Sequence, residues 1–250
     1  MSTSRDTLFS TLSSDIEAFR FDERVTRVFA DMIRRSVPGY ATVIAMTGVL
    51  GAEHTQPHSR VYDLGCSLGT SLISIQNRVD VPCELIGVDN SHAMITACRE
   101  NLEHLPEKEG IKIQLQCADI DQISISNASL VIMHYTLQFI PPARRLELLR
   151  KIARGLNPGG VLILSEKLAF DDPETDFTLT RLYYDFKKHN GYSDLEISQK
   201  RQALENVLIP ETEQTHLRRL REAGFERAMS WFQCLNFHSF VAYKSPREEA

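Results

Sequence analysis

The chain has 250 residues, of which 42% are hydrophobic and 24% charged, and its formal net charge is −5 at pH 7. These proportions are ordinary for a globular protein and exclude a fibrous or largely disordered chain. The charges form no long basic run and no Lys/Arg stripe interleaved with aromatic residues. Direct binding of nucleic acid is therefore not expected.

The cysteine count and the distribution of apolar residues bear on the compartment. Five cysteines are an odd number, and they form no CxxC pair and no metal-ligand spacing, so we expect reduced thiols and no metal. The first six residues lack the apolar core of a signal peptide, and no stretch approaches the ~18 apolar residues of a membrane span. We expect a cytoplasmic protein without a membrane anchor.

Two helices are predicted between residues 21 and 55, where apolar residues recur at helical spacing on both sides of Val37-Pro38-Gly39. Short β-rich runs then alternate with helical patterns. The predicted strands are 60–64, 84–89, 112–117, 130–135 and 161–165. The predicted helices between them are 70–78, 91–105 and 142–155.

This alternation requires crossover connections, which place parallel strands in one sheet with helices on both faces. The predicted fold is therefore α/β, Rossmann-like and doubly wound. The glycine-rich segment 155–160 is expected to end a helix before a strand starts at Val161. Segment 171–207 is mostly polar and helical, and we expect a helical insertion there in a single domain spanning residues 1–250.

The last part of the chain contains a predicted helix at 215–223 and two aromatic runs, 229–237 and 239–243. The two runs are suited to pair as an antiparallel edge of the sheet. No internal repeat and no long linker interrupts the chain.

The first predicted strand end carries a glycine loop. Ligands of open α/β sheets lie beyond the carboxyl ends of the strands. There, Gly65 and Gly69 bracket a turn in which a side chain would block close approach of the backbone to a ligand, and Asp63 precedes the turn. A plain strand-to-helix turn is the alternative interpretation.

The next two strand ends carry acids suited to an adenosine. Asp89 lies roughly 20 residues after the glycines, where an acid hydrogen-bonds both ribose hydroxyls; capping of the helix near Ser91 is the alternative. Asp119 is suited to accept from an exocyclic amine beside a backbone N–H. The spacing of Gly65 and Gly69 is not that of a pyrophosphate loop, which favours a ligand without phosphate, S-adenosylmethionine (SAM).

The segments D-L-G-C-S-L-G, G-V-D-N-S and C-A-D-I resemble those of the class I SAM-dependent methyltransferases. The resemblance implies a seven-stranded, mostly parallel sheet with an antiparallel last strand. Ser67 is a departure, because many members of the class have another glycine there. We expect a slightly stiffer loop in consequence.

Segments along nearly the whole chain resemble the carboxy-S-adenosyl-L-methionine (carboxy-SAM) synthases. The matching segments are 6–9, 21–23, 31–40, 136–139, 155–158, 164–167, 190–192, 196–201, 204–207 and 231–234. The resemblance implies that SAM and prephenate are converted to carboxy-SAM and phenylpyruvate. It also implies a homodimer, whose product a separate tRNA carboxymethyltransferase uses to make uridine 5-oxyacetic acid at the tRNA wobble position.

By the same resemblance, decarboxylation of prephenate supplies carbon dioxide and a base. The methyl group on the sulfonium then loses a proton, and the ylide carbon attacks the carbon dioxide. Arg201 matches the family's carboxylate-binding arginine, a role suited to a planar group that keeps its charge. The insertion 171–207 would cap the site and exclude water. Without the resemblance, Lys200-Arg201 is typical of a solvated helix face.

His134 is the main local departure, because members of the family commonly have an asparagine there. A hydrogen bond to ligand is expected to survive with a changed pH dependence, and a histidine satisfied by neighbouring backbone is the alternative. The SAM-binding residues that the resemblance implies are Tyr40, Gly65, Cys66, Ser67, Asp89, Asn90, Asp119, Ile120, His134 and Arg201.

Two other functions are open to the same sheet motifs. One is a conventional SAM-dependent methyltransferase acting on a small molecule or tRNA. The other is a non-catalytic cofactor-binding protein. The setting of Arg201 and the lack of a basic face for tRNA favour the synthase.

Overall fold

The computed structural model describes residues 4–13 and 15–246, within which seven strands form one sheet. The strands are β1 (Ser59–Leu64), β2 (Cys83–Asp89), β3 (Ile111–Cys117), β4 (Ala128–His134), β5 (Leu156–Lys167), β6 (Arg227–Cys234) and β7 (Phe237–Tyr243). Their order across the sheet is β3-β2-β1-β4-β5-β7-β6. Strands β1 to β5 are mutually parallel, whereas β7 is antiparallel to both β5 and β6. The predicted fold class, including the antiparallel last strand, is confirmed.

Helices cover both faces of the sheet. They are α1 (Glu23–Ser36), α2 (Tyr40–His54), α3 (Thr70–Gln76), α4 (His92–Glu103), α5 (Pro142–Gly155), α6 (Pro173–His189), α7 (Asp194–Leu204) and α8 (Glu213–Glu222). As predicted, α1 and α2 precede the first strand. The predicted insertion 171–207 contains α6 and α7. Within the described ranges, no helix is long and apolar enough to cross a membrane.

The central strand β4 shows why the sheet needs cover on both sides. Its alternate residues face opposite ways, so Leu130 and Ile132 pack with α3 and α4, while Val131 and Met133 pack with α5 and α8. All four side chains are fully buried. An apolar run buried on both faces is characteristic of a parallel strand with helical crossovers, which places the carboxyl ends of β1, β2, β4 and β5 at one edge.

Strand β5 is longer than the sequence predicts. It begins at Leu156, which pairs with Ala128, and the register then shifts so that Val161 pairs with Leu130. The expected helix end is confirmed, since α5 ends at Gly155, but the expected strand start at Val161 is wrong. The main chain of 156–160 already belongs to the sheet region, where the carbonyl of Gly160 accepts from the N–H of Lys244 at 2.9 Å. The irregularity is a bulge in the strand, and not a loop before it.

The N-terminal segment fastens α7 to α1 through Asp6, which is 1% exposed. Its Oδ2 accepts from the Tyr192 hydroxyl at 2.5 Å and lies 3.8 Å from Lys200 Nζ. Its main-chain N–H donates to Asp31 Oδ2 at 2.8 Å, and its carbonyl accepts from Arg35 Nη1 at 3.2 Å. Residues that are far apart in sequence thus hold the helix that carries Arg201.

Candidate active site

A cavity of about 490 Å³ opens at the carboxyl ends of the parallel strands. The helices α1, α2, α6 and α7 supply much of the rest of its wall. All ten residues predicted to bind SAM line this one cavity: Tyr40, Gly65, Cys66, Ser67, Asp89, Asn90, Asp119, Ile120, His134 and Arg201. The structure therefore brings them together, while their contacts with a ligand stay a prediction.

The loop after β1 is built for close approach. Gly65 has φ 87°, and a Cβ at this position would lie 2.2 Å from Thr136 Oγ1, so any other residue would be strained and would displace Thr136. Ser67 has φ 51°, in the left-handed region that glycine adopts most easily. The serine that departs from the class I methyltransferase pattern thus occupies a position where glycine would be unstrained, and the stiffer loop stays a prediction.

Asp89 joins the loop to the end of β2. Its Oδ2 accepts from the N–H of Ser67 at 3.1 Å, and its Oδ1 accepts from the N–H of Ser91 at 2.9 Å. Burial raises the pKa of this carboxyl, and the two backbone hydrogen bonds oppose that shift. The helix cap itself is the Ser91 hydroxyl, which accepts from the N–H of Met94. Asp89 is therefore not the N-cap of α4, which favours the ribose-binding role.

A second carboxyl, Asp63, lies beneath the loop and also lines the cavity. It is 2% exposed, and burial together with the nearby charge of Asp89 raises its pKa to about 7. Asp119 is exposed at the cavity wall, where its side chain accepts from the N–H of Asp121 at 3.0 Å. Three acids from the ends of β1, β2 and β3 therefore share one side of the cavity.

Tyr40 begins α2, and its hydroxyl hydrogen-bonds the Thr70 hydroxyl at 2.8 Å. Burial raises the pKa of Tyr40 to about 12 despite this hydrogen bond, so the phenol is neutral at physiological pH. The contact ties the first residue of α2 to the first residue of α3, next to the glycine loop.

The ring of His134 is held between two hydroxyls. Thr47 Oγ1 donates to the carbonyl of Val43 at 2.8 Å, so it accepts from His134 Nε2–H, also at 2.8 Å. Nδ1 then accepts from Ser165 Oγ at 2.7 Å, and Ser165 in turn accepts from Ser239. Burial lowers the pKa of His134 to about 3. This arrangement favours a neutral, structurally satisfied histidine over a pH-dependent ligand contact, although its partners are side chains and not the backbone.

Arg201 lies on α7 at the cavity wall and is exposed. Its guanidinium has no ion pair or hydrogen bond to the described residues of the chain. The adjacent Lys200 behaves differently: it is 7% exposed, burial lowers its pKa to about 8, and its ammonium donates to Ser36 Oγ at 3.0 Å. The two residues, whose sequence is typical of a solvated helix face, therefore differ: Lys200 is buried and Arg201 is exposed.

Several residues that line the cavity were not predicted from the sequence to belong to the site. Lys167, Lys187 and Lys200 line the same cavity as Arg201 and make its second side basic. Tyr135 also lines it, with φ 56° and a buried hydroxyl that has no partner within the described ranges. The only sequence signal for Tyr135 was its place as the last residue of the predicted strand 130–135.

The charge distribution fits SAM. The side lined by Asp63, Asp89 and Asp119 offers acceptors to the hydroxyl and amine donors of SAM and favours a ligand of positive charge, next to a loop that a Cβ at Gly65 would close. Among residues 4–13 and 15–246, no group of three His, Cys, Asp or Glu side chains is arranged to hold a metal ion. The fold and the site define a class I SAM-dependent methyltransferase type of protein.

Comparison with known proteins agrees with this class and narrows it. Residues 61–160 match a family model described as a methyltransferase domain. The magnesium protoporphyrin IX methyltransferase of Synechocystis PCC 6803, solved with bound SAH, superposes with a TM-score of 0.58 at 17% identity, covering 86% of this chain and 87% of that one. A similarity at this identity shows the fold alone.

Two curated relatives are much more similar. The carboxy-S-adenosyl-L-methionine synthase of Trichlorobacter lovleyi is 54% identical over 245 residues, covering 98% of this chain and 100% of the relative. That of Hahella chejuensis is 50% identical over 250 residues, with the same coverage. The chain belongs to the carboxy-S-adenosyl-L-methionine synthase family.

Proposed function

We propose that this protein converts SAM and prephenate into carboxy-SAM and phenylpyruvate. The observation that carries the proposal is the position of Arg201, a guanidinium without a protein carboxylate partner among the described residues, in the same cavity as the glycine loop. A methyltransferase needs no cation there. An enzyme that builds a carboxylate on the sulfonium methyl carbon does, because the new negative charge must be held.

In this proposal the acidic side of the cavity binds the adenosyl group. Asp89 accepts from the ribose hydroxyls, Asp119 accepts from the adenine amine, and the main chain at Gly65, Cys66 and Ser67 approaches the rest of the ligand. Asp89 keeps its backbone hydrogen bonds to the loop while it does so, since each carboxylate oxygen accepts more than one donor. The loop and the acid are thereby held in position before SAM binds.

The reaction requires a dry site. Carbon dioxide is released from prephenate, the hydroxyl that leaves its ring takes a proton from the sulfonium methyl group as water, and the methyl carbon bonds to the carbon dioxide. Phe19, Phe21, Phe29 and Phe139 line the cavity together with the cap helices. These rings support the role of segment 171–207 as a cap that keeps bulk water from the reacting carbon.

The remaining parts of the proposal concern the cell. Carboxy-SAM would supply the carboxymethyl group that a separate enzyme transfers to the wobble uridine of tRNA. The protein would act in the cytoplasm as a homodimer, without contacting nucleic acid itself. Its net charge of −5 supports the last point.

Isotope tracing tests the reaction. The purified chain is incubated with SAM and prephenate labelled with ¹³C in its ring carboxylate, and the products are separated by mass spectrometry. The expected result is carboxy-SAM carrying the label, with phenylpyruvate in equal amount. Consumption of SAM only when a methyl acceptor is added would instead support a conventional methyltransferase, and SAM binding without any turnover would support a non-catalytic protein.

A further inference from the structure

The basic side of the cavity contains more positive charge than one carboxylate requires. Its four basic groups come from the end of β5 and from the cap helices, namely Lys167, Lys187, Lys200 and Arg201. In the proposed function Arg201 binds the product carboxylate, and Lys200 already has Asp6 and Ser36 as partners. Lys167 and Lys187 remain to be explained.

Lys187 is the most unusual of these groups. It lies in the last turn of α6 and is 5% exposed. Within the described ranges, its ammonium has no hydrogen bond or ion pair, and its Nζ lies 4.4 Å from the centroid of the Tyr183 ring. Burial and the positive charges of Lys200 and Lys167 lower its pKa well below the usual value. A buried cation whose charged neighbours are other cations, with only an aromatic ring to offset them, is costly unless something anionic completes the site.

Lys167 contacts the same ring. Its Nζ lies 5.1 Å from the centroid of Tyr183, so two ammonium groups share one aromatic side chain. Tyr183 is itself 7% exposed and packs against Phe237 with 5.2 Å between ring centroids. The local environment therefore combines two cations with an apolar, aromatic floor.

The geometry points to a subsite for a small dicarboxylate at Lys187 and Lys167, between the cap and the end of β5. The ammonium groups would hold the carboxylates, and the rings of Tyr183 and Phe237 would contact the carbon skeleton between them. The inference rests on the proposed function, in which prephenate, a dicarboxylate on a six-membered ring, is the second substrate. Arg201 would then receive the carboxylate that is transferred, and the two lysines would hold the substrate that gives it up.

The dicarboxylate explains why the protein retains so unfavourable a group. A bound carboxylate supplies the opposite charge that Lys187 lacks, and a charge-assisted hydrogen bond in a buried site is stronger than one in water. A variant with an apolar residue in place of Lys187 would fold at least as well, but it would no longer bind the dicarboxylate.

The test compares Lys187→Met with Lys188→Met. Lys188 is the adjacent residue of α6, but it is exposed and pairs with Asp194 at the surface, so it is the matched control. In steady-state assays with SAM, the KM for prephenate should rise about 10- to 100-fold in Lys187→Met and stay unchanged in Lys188→Met. The thermal midpoint of ligand-free Lys187→Met should equal or exceed that of wild type, because an unpaired buried charge has gone. Lys187→Arg should recover part of the affinity.

Binding measurements separate this inference from the proposed reaction. Malonate is titrated calorimetrically into each protein loaded with SAH, which cannot react. Loss of malonate binding in Lys187→Met alone supports the subsite even if wild type fails to turn over prephenate, a failure that would remove the proposed function only. Equal malonate binding and equal prephenate KM in the two variants would overturn the subsite. A tenfold loss of SAH affinity in Lys187→Met would also overturn it, by assigning the lysine to the carboxylate of SAM.

Discussion

Tyr192 donates its hydroxyl to Asp6 Oδ2 at 2.5 Å, across 186 positions of the chain. Both residues are buried, and Lys200 Nζ lies 3.8 Å from the same carboxylate oxygen. The N-terminal segment is thereby fastened to the helix that carries Arg201. This contact explains how a segment outside the sheet affects the position of the proposed carboxylate-binding group.

Asp6→Asn is expected to destabilise the protein by about 1–3 kcal/mol, because it weakens the hydrogen bond from Tyr192 and removes the negative charge beside Lys200. Tyr192→Phe removes only the hydroxyl and should cost less, about 1 kcal/mol. Urea unfolding measures both values, and kcat/KM for prephenate should fall in the same order. Asp15→Asn, an exposed acid of the same segment, is the control and should change neither quantity. Equal stability of Asp6→Asn and Asp15→Asn would show that the contact does not hold α7.

The raised pKa of Asp63 makes the stability of the protein and its affinity for SAM depend on pH. Burial and the charge of Asp89 raise its pKa from 3.8 to about 7, so between these values the folded protein binds more protons than the unfolded chain. The free energy of unfolding of the ligand-free protein should therefore fall as pH rises from about 4 to about 7. Because SAM is positively charged it favours the carboxylate form, and its affinity should rise over the same window and level off above it.

Calorimetric titration with SAM from about pH 5.5 to about pH 8 checks this dependence, and buffers of different ionisation enthalpy count the proton released. Asp63→Asn should bind SAM more weakly, with an affinity independent of pH in that range. Asp80→Asn alters an exposed acid that pairs with Lys108, and it should reproduce the wild-type curve. A SAM affinity that does not change below pH 7 in wild type would refute the role of Asp63.

The fold was predictable because its signals are local. The buried strand β4 has apolar residues at every position from Leu130 to Met133, and turns with glycine and proline separate the other elements. The start of β5 was not predictable, because Gly159 and Gly160 have the composition of a turn although they continue the sheet as a bulge. That the chain forms one domain stays a prediction.

Without the family resemblance, the site was predictable only on its acidic side. Strand ends are visible in the sequence, so the positions of Asp63, Asp89 and Asp119 followed from the alternation of strands and helices. The burial of Lys187 in the site was not predictable, since the residue lies in a polar helical pattern and is buried only by the packing of α6 over the cavity. The resemblance to the synthase family identified Arg201, but no local pattern separates it from Lys200, which lines the same cavity and is buried beside Asp6 and Ser36.

His134 is expected to remain neutral at all pH values where the enzyme is active. Both ring nitrogens are engaged by Thr47 and Ser165, and burial lowers the pKa to about 3. NMR of the ¹⁵N-labelled imidazole should show the Nε2–H tautomer and no titration between about pH 5 and about pH 8. His134→Asn, which introduces the residue common in the family, should leave the pH profile of kcat unchanged. It should lower stability by about 1–3 kcal/mol, because the shorter side chain cannot reach both hydroxyls.

A titration of the His134 ring within that range would contradict this expectation. So would a shift of the acidic limb of the pH profile in His134→Asn. Either result would mean that the ring loses its hydroxyl partners during the reaction and contacts ligand instead.

Arg201 should be required for carboxylation and dispensable for folding. Arg201→Ala removes a bidentate donor from the new carboxylate, and carboxy-SAM formation should fall at least 100-fold, about the loss expected for two charge-assisted hydrogen bonds. Arg201→Lys keeps the charge without the planar fork, and its rate of carboxy-SAM formation should lie between those of wild type and Arg201→Ala. Stability to urea should be unchanged, because the side chain is exposed and has no partner within the described ranges.

The comparison of two ligands makes this prediction specific to the carboxylate. Affinity for carboxy-SAM should fall much more than affinity for SAM in Arg201→Ala, since only the product carries the group that the guanidinium holds. Arg181→Ala, which removes an exposed arginine 3.6 Å from Asp185 on α6, should alter neither affinity. If Arg201→Ala formed carboxy-SAM at the wild-type rate, another cation of the cavity would have to hold the carboxylate. The nearest candidate in sequence is Lys200, and Lys200→Met would then show the loss expected for Arg201.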